Sequence, residues 1–201
     1  MRVPPDEYRA LDLRAHRFMR DVPLHDVSVV DLTGGGSGRT MSDVQALLDQ
    51  TKPSPVVSAL MAIRCRVGDA LGWDSAEAAT TDSYVSRVTS EDRLASDVPP
   101  GTQVGGFRVL YRLPREALSE IRNATVHAFL CTVLVPTTAG YRFYWAVYVA
   151  PTSWLTPAYL AVIEPFRRFI VYPSMLRRIR DAWVIRYSPG RDQGSVAGTS
   201  A

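Results

Sequence analysis

The spacing of apolar and polar positions changes character several times along the chain. From His25 to Leu32 (HDVSVVDL) it alternates and valine dominates, which predicts a first β-strand. Thr33 to Gly38 (TGGGSG) breaks regular structure. From Thr40 the period lengthens to that of a helix: Met41, Val44, Leu47 and Leu48 form one stripe, and Asp43 stands where a capping partner would. A second helix is predicted from Ser54, with Pro55 at its first position, where a missing N–H costs nothing. Its stripe is Val56, Leu60, Ile63, Val67 and Leu71, and Gly72 ends it.

From Ser83 onward the period is two. Ser83–Val88, Phe107–Leu113, Glu116–Arg122, Ala124–Val135 and Tyr141–Val149 read as strands, and Ser90 to Gly106 as a polar loop. Pro114-Arg115 and Pro136 to Gly140 (PTTAG) serve as turns, so the sheet is expected to be an antiparallel meander. A last helix runs from Thr156 to Trp183, with Tyr159, Val162, Ile163, Phe166, Phe169 and Ile170 on one face. Pro165 and Pro173 must kink or divide it, because each removes a backbone donor. Residues 1–24 read as an N-terminal extension with a short helical stripe of Tyr8, Leu11, Ala15 and Phe18. Residues 25–186 form one domain, and the Gly-rich residues 187–201 a disordered tail.

The order is strand, two short helices, antiparallel strands, long helix. An antiparallel sheet with an apolar face needs a cover, and the last helix is large enough to supply it. The expected fold is therefore α+β of helix-grip type: a curved antiparallel sheet wrapped around a long C-terminal helix, with a cavity between them. Four stretches carry a resemblance: HDVSVVDLTGGGSGRT (25–40), IRNATVHAFLCT (121–132), YWAVYV (144–149) and EPFRRFIVYPSMLRR (164–178). They resemble a bacterial family of unknown function assigned to the START and polyketide-cyclase-like helix-grip superfamily (SRPBCC), over roughly residues 22–184. The resemblance implies a fold and a ligand cavity. It brings no catalytic residues, and the superfamily's lipid carriers, receptors, cyclases and lyases leave the activity open.

Composition adds limits. Apolar residues make up 46% and charged ones 21% of the 201 residues, the balance of a globular domain. A net charge of +3 does not argue for nucleic acid. Cys65 and Cys131 lie in apolar stretches without metal-type spacing, which points to buried thiols and a cytoplasmic setting. The charged N-terminus lacks the apolar run of a secretion signal. His16, His25 and His127 are far apart, with no HxH, HExxH or CxxC spacing, so neither a metal nor a cofactor is expected. In GGGSGRT (34–40), Thr33 and Arg39 stand where a phosphate loop needs glycine and lysine, so a strand-to-helix turn is the preferred reading.

The candidate chemistry lies in the strands. Glu120 and Arg122 share a face of one strand, His127 lies in the next, and Tyr144 shares a face with Tyr148 and Arg142 in the one after. If these faces line the cavity, His127 or Glu120 would act as base, with Arg122 or Tyr144 stabilising an enolate. The competing structural account is an exposed ion pair and a hydrogen-bonded structural histidine. Phe129, Trp145, Tyr148, Tyr159 and Phe166 are the expected aromatic wall for a small apolar partner. The leading functional expectation is binding of a lipid, polyketide or aromatic metabolite. The alternatives are a cofactor-independent cyclase, dehydratase or isomerase, and a lipid carrier drawn weakly to anionic membranes by Arg167, Arg168, Arg177, Arg178, Arg180 and Arg186.

Overall fold

The computed structural model describes residues 1–50, 58, 83–122, 126–151, 161 and 164–187. Apart from Ser58, the helix expected from Ser54 to Gly72 lies outside these residues, as do Cys65, Tyr159 and the tail from 188. Among them the chain folds as an α+β protein around one six-stranded antiparallel sheet. Its strands are β1 (Leu24–Thr33), β2 (Gln103–Val104), β3 (Phe107–Arg112), β4 (Glu116–Arg122), β5 (Val126–Thr137) and β6 (Gly140–Pro151). The order across the sheet is β1-β6-β5-β4-β3-β2, and every neighbouring pair is antiparallel. β3 through β6 form the expected meander, and the short β2 pairs with the outer edge of β3; β1 returns to the far side and pairs with β6.

Side chains alternate between two faces, and both faces are buried. Phe143, Trp145 and Val147 of β6, with Leu134 of β5, pack beneath α3 (Met41–Gln50) and the C-terminal helix α5 (Tyr172–Tyr187), which contributes Leu176, Ile179 and Trp183. Tyr144, Ala146 and Tyr148 of β6 point the other way, with Phe129, Cys131 and Leu118. That second layer is closed by the N-terminal segment. Its helices α1 (Pro5–Arg9) and α2 (Arg14–Phe18) insert the fully buried Tyr8 and Ala15. The expected helical stripe is thus present, split into two short helices. Residues 1–3 also run along the free edge of β1, with Val3 N–H donating to the Val27 carbonyl at 3.3 Å, which protects an otherwise open sheet edge.

Three local readings are corrected. Ser83–Val88 is not a strand: Tyr84–Arg87 makes a single 3₁₀ turn, with the Ser83 hydroxyl accepting from Val85 N–H at 3.3 Å. The loop from Ser90 to Gly106 contains helix α4 (Ser90–Ala95), capped by Thr89, which accepts from Asp92 N–H at 3.1 Å, and it also contains β2. The last helix is interrupted by a π-helical segment, Arg167–Val171, just before Pro173. Widening the helix there moves backbone carbonyls away from the proline ring, which lacks an N–H and would crowd the previous turn.

The capping of α3 follows the sequence closely. Asp43 Oδ2 accepts from Thr40 N–H at 2.8 Å. The glycine-rich stretch before it is packed rather than open. Arg39 lies 4.1 Å above the Tyr187 ring and donates to the Gly35 carbonyl at 2.8 Å, while the Tyr141 hydroxyl donates to the Gly36 carbonyl at 3.0 Å.

Candidate functional site

Three of the four strand residues singled out by chemistry meet at one place. The β4–β5 register sets Glu120 opposite Phe129 and Arg122 opposite His127, so all four side chains share the face of the N-terminal segment. Glu120 and His127 are each only 3% exposed. They form the floor of a pocket of about 150 Å³, with Arg108 and Arg122 in its wall.

Glu120 is held from four sides. His127 Nε2 lies 2.9 Å from Oε2, the Tyr84 N–H donates to the same oxygen at 3.0 Å, and the Ser83 hydroxyl donates to Oε1. Arg108 Nη1 stands 3.8 Å from Oε1. Burial pushes the carboxyl upward, but the bonds from His127, Ser83 and the Tyr84 N–H outweigh it, so the group lies below the ordinary carboxylate range. An ionised carboxylate only accepts, so the His127 nitrogen facing it, Nε2, carries a proton. The Phe129 ring at 4.3 Å and the Tyr84 ring at 5.1 Å fix the imidazole plane. This is a carboxylate-oriented histidine beside two cations, an arrangement able to take a proton from a bound anion.

Tyr144 does not join this group. Its hydroxyl donates to Glu7 of α1 at 2.9 Å, and Arg142 bonds the same carboxylate at 3.2 Å. The expected aromatic wall is also dispersed. Phe129 and Tyr148 pair across β5 and β6 on the N-terminal side, where the Tyr148 hydroxyl is 3.3 Å from that of Tyr8. Trp145, one position out of phase, faces the C-terminal helix. Phe166 is exposed.

The space beneath the helix is also distributed unevenly. The C-terminal half of α5 packs directly on the sheet through Ile179 and Trp183. Beside its first half and the π-helical segment, a cleft of about 340 Å³ opens against β1. Val30, Leu176, Pro173 and the exposed Phe169 give it apolar walls, and Arg2, Arg168, Arg177 and Arg180 stand around it. Asp26 and Glu164 line it as well. His25 Nε2 lies 3.0 Å from Glu164 Oε2, and Arg167 approaches Asp26 at 3.4 Å and Glu164 at 3.8 Å. The tighter partner of Arg167 is the Tyr172 hydroxyl, 2.8 Å from Nε. Burial raises the Asp26 carboxyl, and Arg167 and His25 offset this only in part.

Sequence reasoning did not bring His25, Asp26, Glu164 and Arg167 together: it read His25 as an isolated histidine and Arg167 as one of a surface cluster of arginines, and gave Asp26 and Glu164 no role. One signal was available: Asp26 has the same strand parity as Ser28 and Val30, on a face that otherwise turns apolar at Leu32.

The architecture and these two concavities define an α+β protein with an open six-stranded antiparallel sheet and a C-terminal helix packed on it, consistent with a helix-grip arrangement. Among the described residues, no helix is long and apolar enough to cross a membrane. The chain belongs to the family described as "Protein of unknown function (DUF2867)", whose sequence model matches residues 18–174. No curated protein and no solved structure matches the chain.

Proposed function

We propose that the protein binds a small molecule with an apolar body and an anionic group in the cleft between β1 and the C-terminal helix. One observation carries this: apolar walls and four arginines meet around a single space of about 340 Å³. That size suits a compact ligand, and guanidinium groups favour carboxylate or phosphate at the entrance. The reading takes the sheet and helix as a START-like, SRPBCC-type grip and includes a cytoplasmic setting; strand order, the covering helix and the buried free thiol of Cys131 support it.

The test is thermal denaturation with decanoate and with decanol, alongside native mass spectrometry of the purified protein. Decanoate is expected to raise the melting temperature more than decanol, and Arg168→Glu/Arg177→Glu is expected to abolish that difference. Equal or absent shifts for both compounds would refute the reading.

A second reading has its own observation, the buried Glu120–His127 pair beside Arg108 and Arg122. There the protein would be a cofactor-independent enzyme removing a proton next to a carbonyl of a small anion, with His127 as base. Deuterium exchange at the methyl group of pyruvate, followed by NMR, checks it. Exchange by wild type that is lost in His127→Gln supports it; exchange no faster than in buffer refutes it.

A further inference from the structure

We propose that His25, Asp26 and Glu164 form a binding site for a divalent transition-metal ion, with zinc the best match, at the inner end of the β1–helix cleft. His25 and Asp26 are neighbours in β1, where successive side chains would ordinarily point to opposite faces. The β1–β6 register slips between Leu24 and Asp26, and such an irregularity re-aims side chains. Both residues therefore address the same helix: His25 meets Glu164, and Asp26 meets Arg167. One donor atom from each of His25, Asp26 and Glu164 lies within 4.8 Å of the others. Around zinc, with bonds of about 2.0 Å, tetrahedral ligand atoms stand roughly 3.3 Å apart. The His25–Glu164 pair at 3.0 Å is already close to that spacing. A side-chain shift of about 1.5 Å brings the third donor in, and Glu164 is exposed enough to make it.

An independent observation asks for a cation. Asp26 is only 5% exposed, and its Oδ1 is buried without a hydrogen-bond partner. A carboxylate oxygen in that state is costly unless a positive charge reaches it. Arg167 does so poorly, because its short bonds go to Tyr172 and its carboxylate contacts are 3.4 and 3.8 Å. One imidazole nitrogen and two carboxylate oxygens suit zinc or manganese better than calcium, which prefers oxygen alone. Three protein ligands leave a coordination position for water or an anion, as in catalytic rather than structural zinc sites. Asp26 and Glu164 line the cleft, so that position opens there.

Isothermal titration of zinc into the chelator-treated, buffer-exchanged full chain tests this. One site per chain is expected, with Asp26→Asn, Glu164→Gln and His25→Gln each weakening binding at least roughly tenfold, as loss of a ligand or its support does. His16→Gln, a histidine bonded within the N-terminal segment, is expected to bind as wild type does. If Asp26→Asn loses its far-ultraviolet dichroism, Glu164→Gln answers alone, because its side chain lies near the surface. No heat from zinc or manganese with wild type, or unchanged affinity in Glu164→Gln, overturns the proposal. No organic ligand is present in these titrations, so their outcome is separate from that of the decanoate experiment.

Discussion

Glu116 offers the sharpest check on how the N-terminal segment is held. It lies in β4, is 5% exposed, and accepts three hydrogen bonds: from Arg14 N–H at 3.0 Å, Ala15 N–H at 3.2 Å and the Tyr111 hydroxyl at 2.8 Å. The two amides are the first of helix α2, which has no side-chain cap of its own. Glu116 therefore caps a helix about a hundred residues away in sequence. Replacing it with alanine removes the cap, worth about 1 kcal/mol, and strands buried donors at about 1–3 kcal/mol each where water cannot reach them. Burial works against the charge: it raises the Glu116 carboxyl above its ordinary 4.5 despite the bonds from Tyr111 and the two amides. Removing that carboxylate returns part of the loss, so Glu116→Ala is expected to cost about 3 kcal/mol net. Glu116→Gln keeps an acceptor and the volume and is expected to cost about 1 kcal/mol. Urea unfolding measures both, and hydrogen exchange reads the amides of Arg14 and Ala15 directly. A Glu116→Ala protein within about 0.5 kcal/mol of wild type, with those amides still protected, would refute the capping argument.

Gly35 has φ +92°, and a Cβ there would lie 2.6 Å from Trp183 Cζ2, so Gly35→Ala is expected to cost about 2–4 kcal/mol. Gly36 (φ +65°) has nothing within 4 Å, and Gly36→Ala is expected to cost about 1 kcal/mol; equal melting temperatures for the two variants would show that Trp183 does not press on the loop. The folded-state carboxyl of Glu120 lies below its ordinary 4.5, so its stabilisation is present above 4.5 and is lost as pH falls through the lowered value. Glu120→Gln is expected to remove about 2–4 kcal/mol at neutral pH and to flatten the acid limb of urea stability; an unchanged acid limb contradicts this assignment. Glu116 carries the opposite sign, contributing most below 4.5 and losing that contribution as pH rises through its raised value. Cys131 is fully buried and burial pushes its thiol up, so in a Cys65→Ser background Ellman's reagent is expected to react only on unfolding; rapid reaction of native protein would show that layer to be open.

The meander was legible because its strands carry long β-branched and aromatic runs closed by proline and glycine turns. At the β5–β6 hairpin, β5 runs two residues further than the pattern predicts, to Thr137, and β6 begins one residue earlier, at Gly140, since backbone pairing continues past the last apolar side chain. The cap on α3 was legible in Thr40-x-x-Asp43. The same device in Thr89-x-x-Asp92 was passed over because α4 has only six residues and too few apolar positions to show a period. Ser83–Val88 alternates, yet its partner is the Glu120 side chain rather than a strand, and alternation cannot distinguish the two. The His25–Glu164 contact spans 139 residues and depends on a register slip, which composition and periodicity do not encode.

The larger misreading concerns which face is covered. In β6 the run Phe143 to Val149 (FYWAVYV) has no polar position, whereas a strand with one solvated face would alternate. Such a run requires a layer on each side, and the C-terminal helix can serve only one. The second layer had to come from elsewhere in the chain, and Tyr8, Ala15 and Met19 of the N-terminal segment supply it. It follows that the Glu120–His127 pocket and the β1–helix cleft lie on opposite faces of one sheet, with strands β5 and β6 as the wall between them. A ligand in one does not touch the side chains lining the other, so His127→Gln is expected to leave decanoate binding intact and Arg168→Glu/Arg177→Glu to leave the Glu120–His127 pair undisturbed. Coupling between the two would require movement of the shared strands, whose other face is packed at every buried position by the opposite layer.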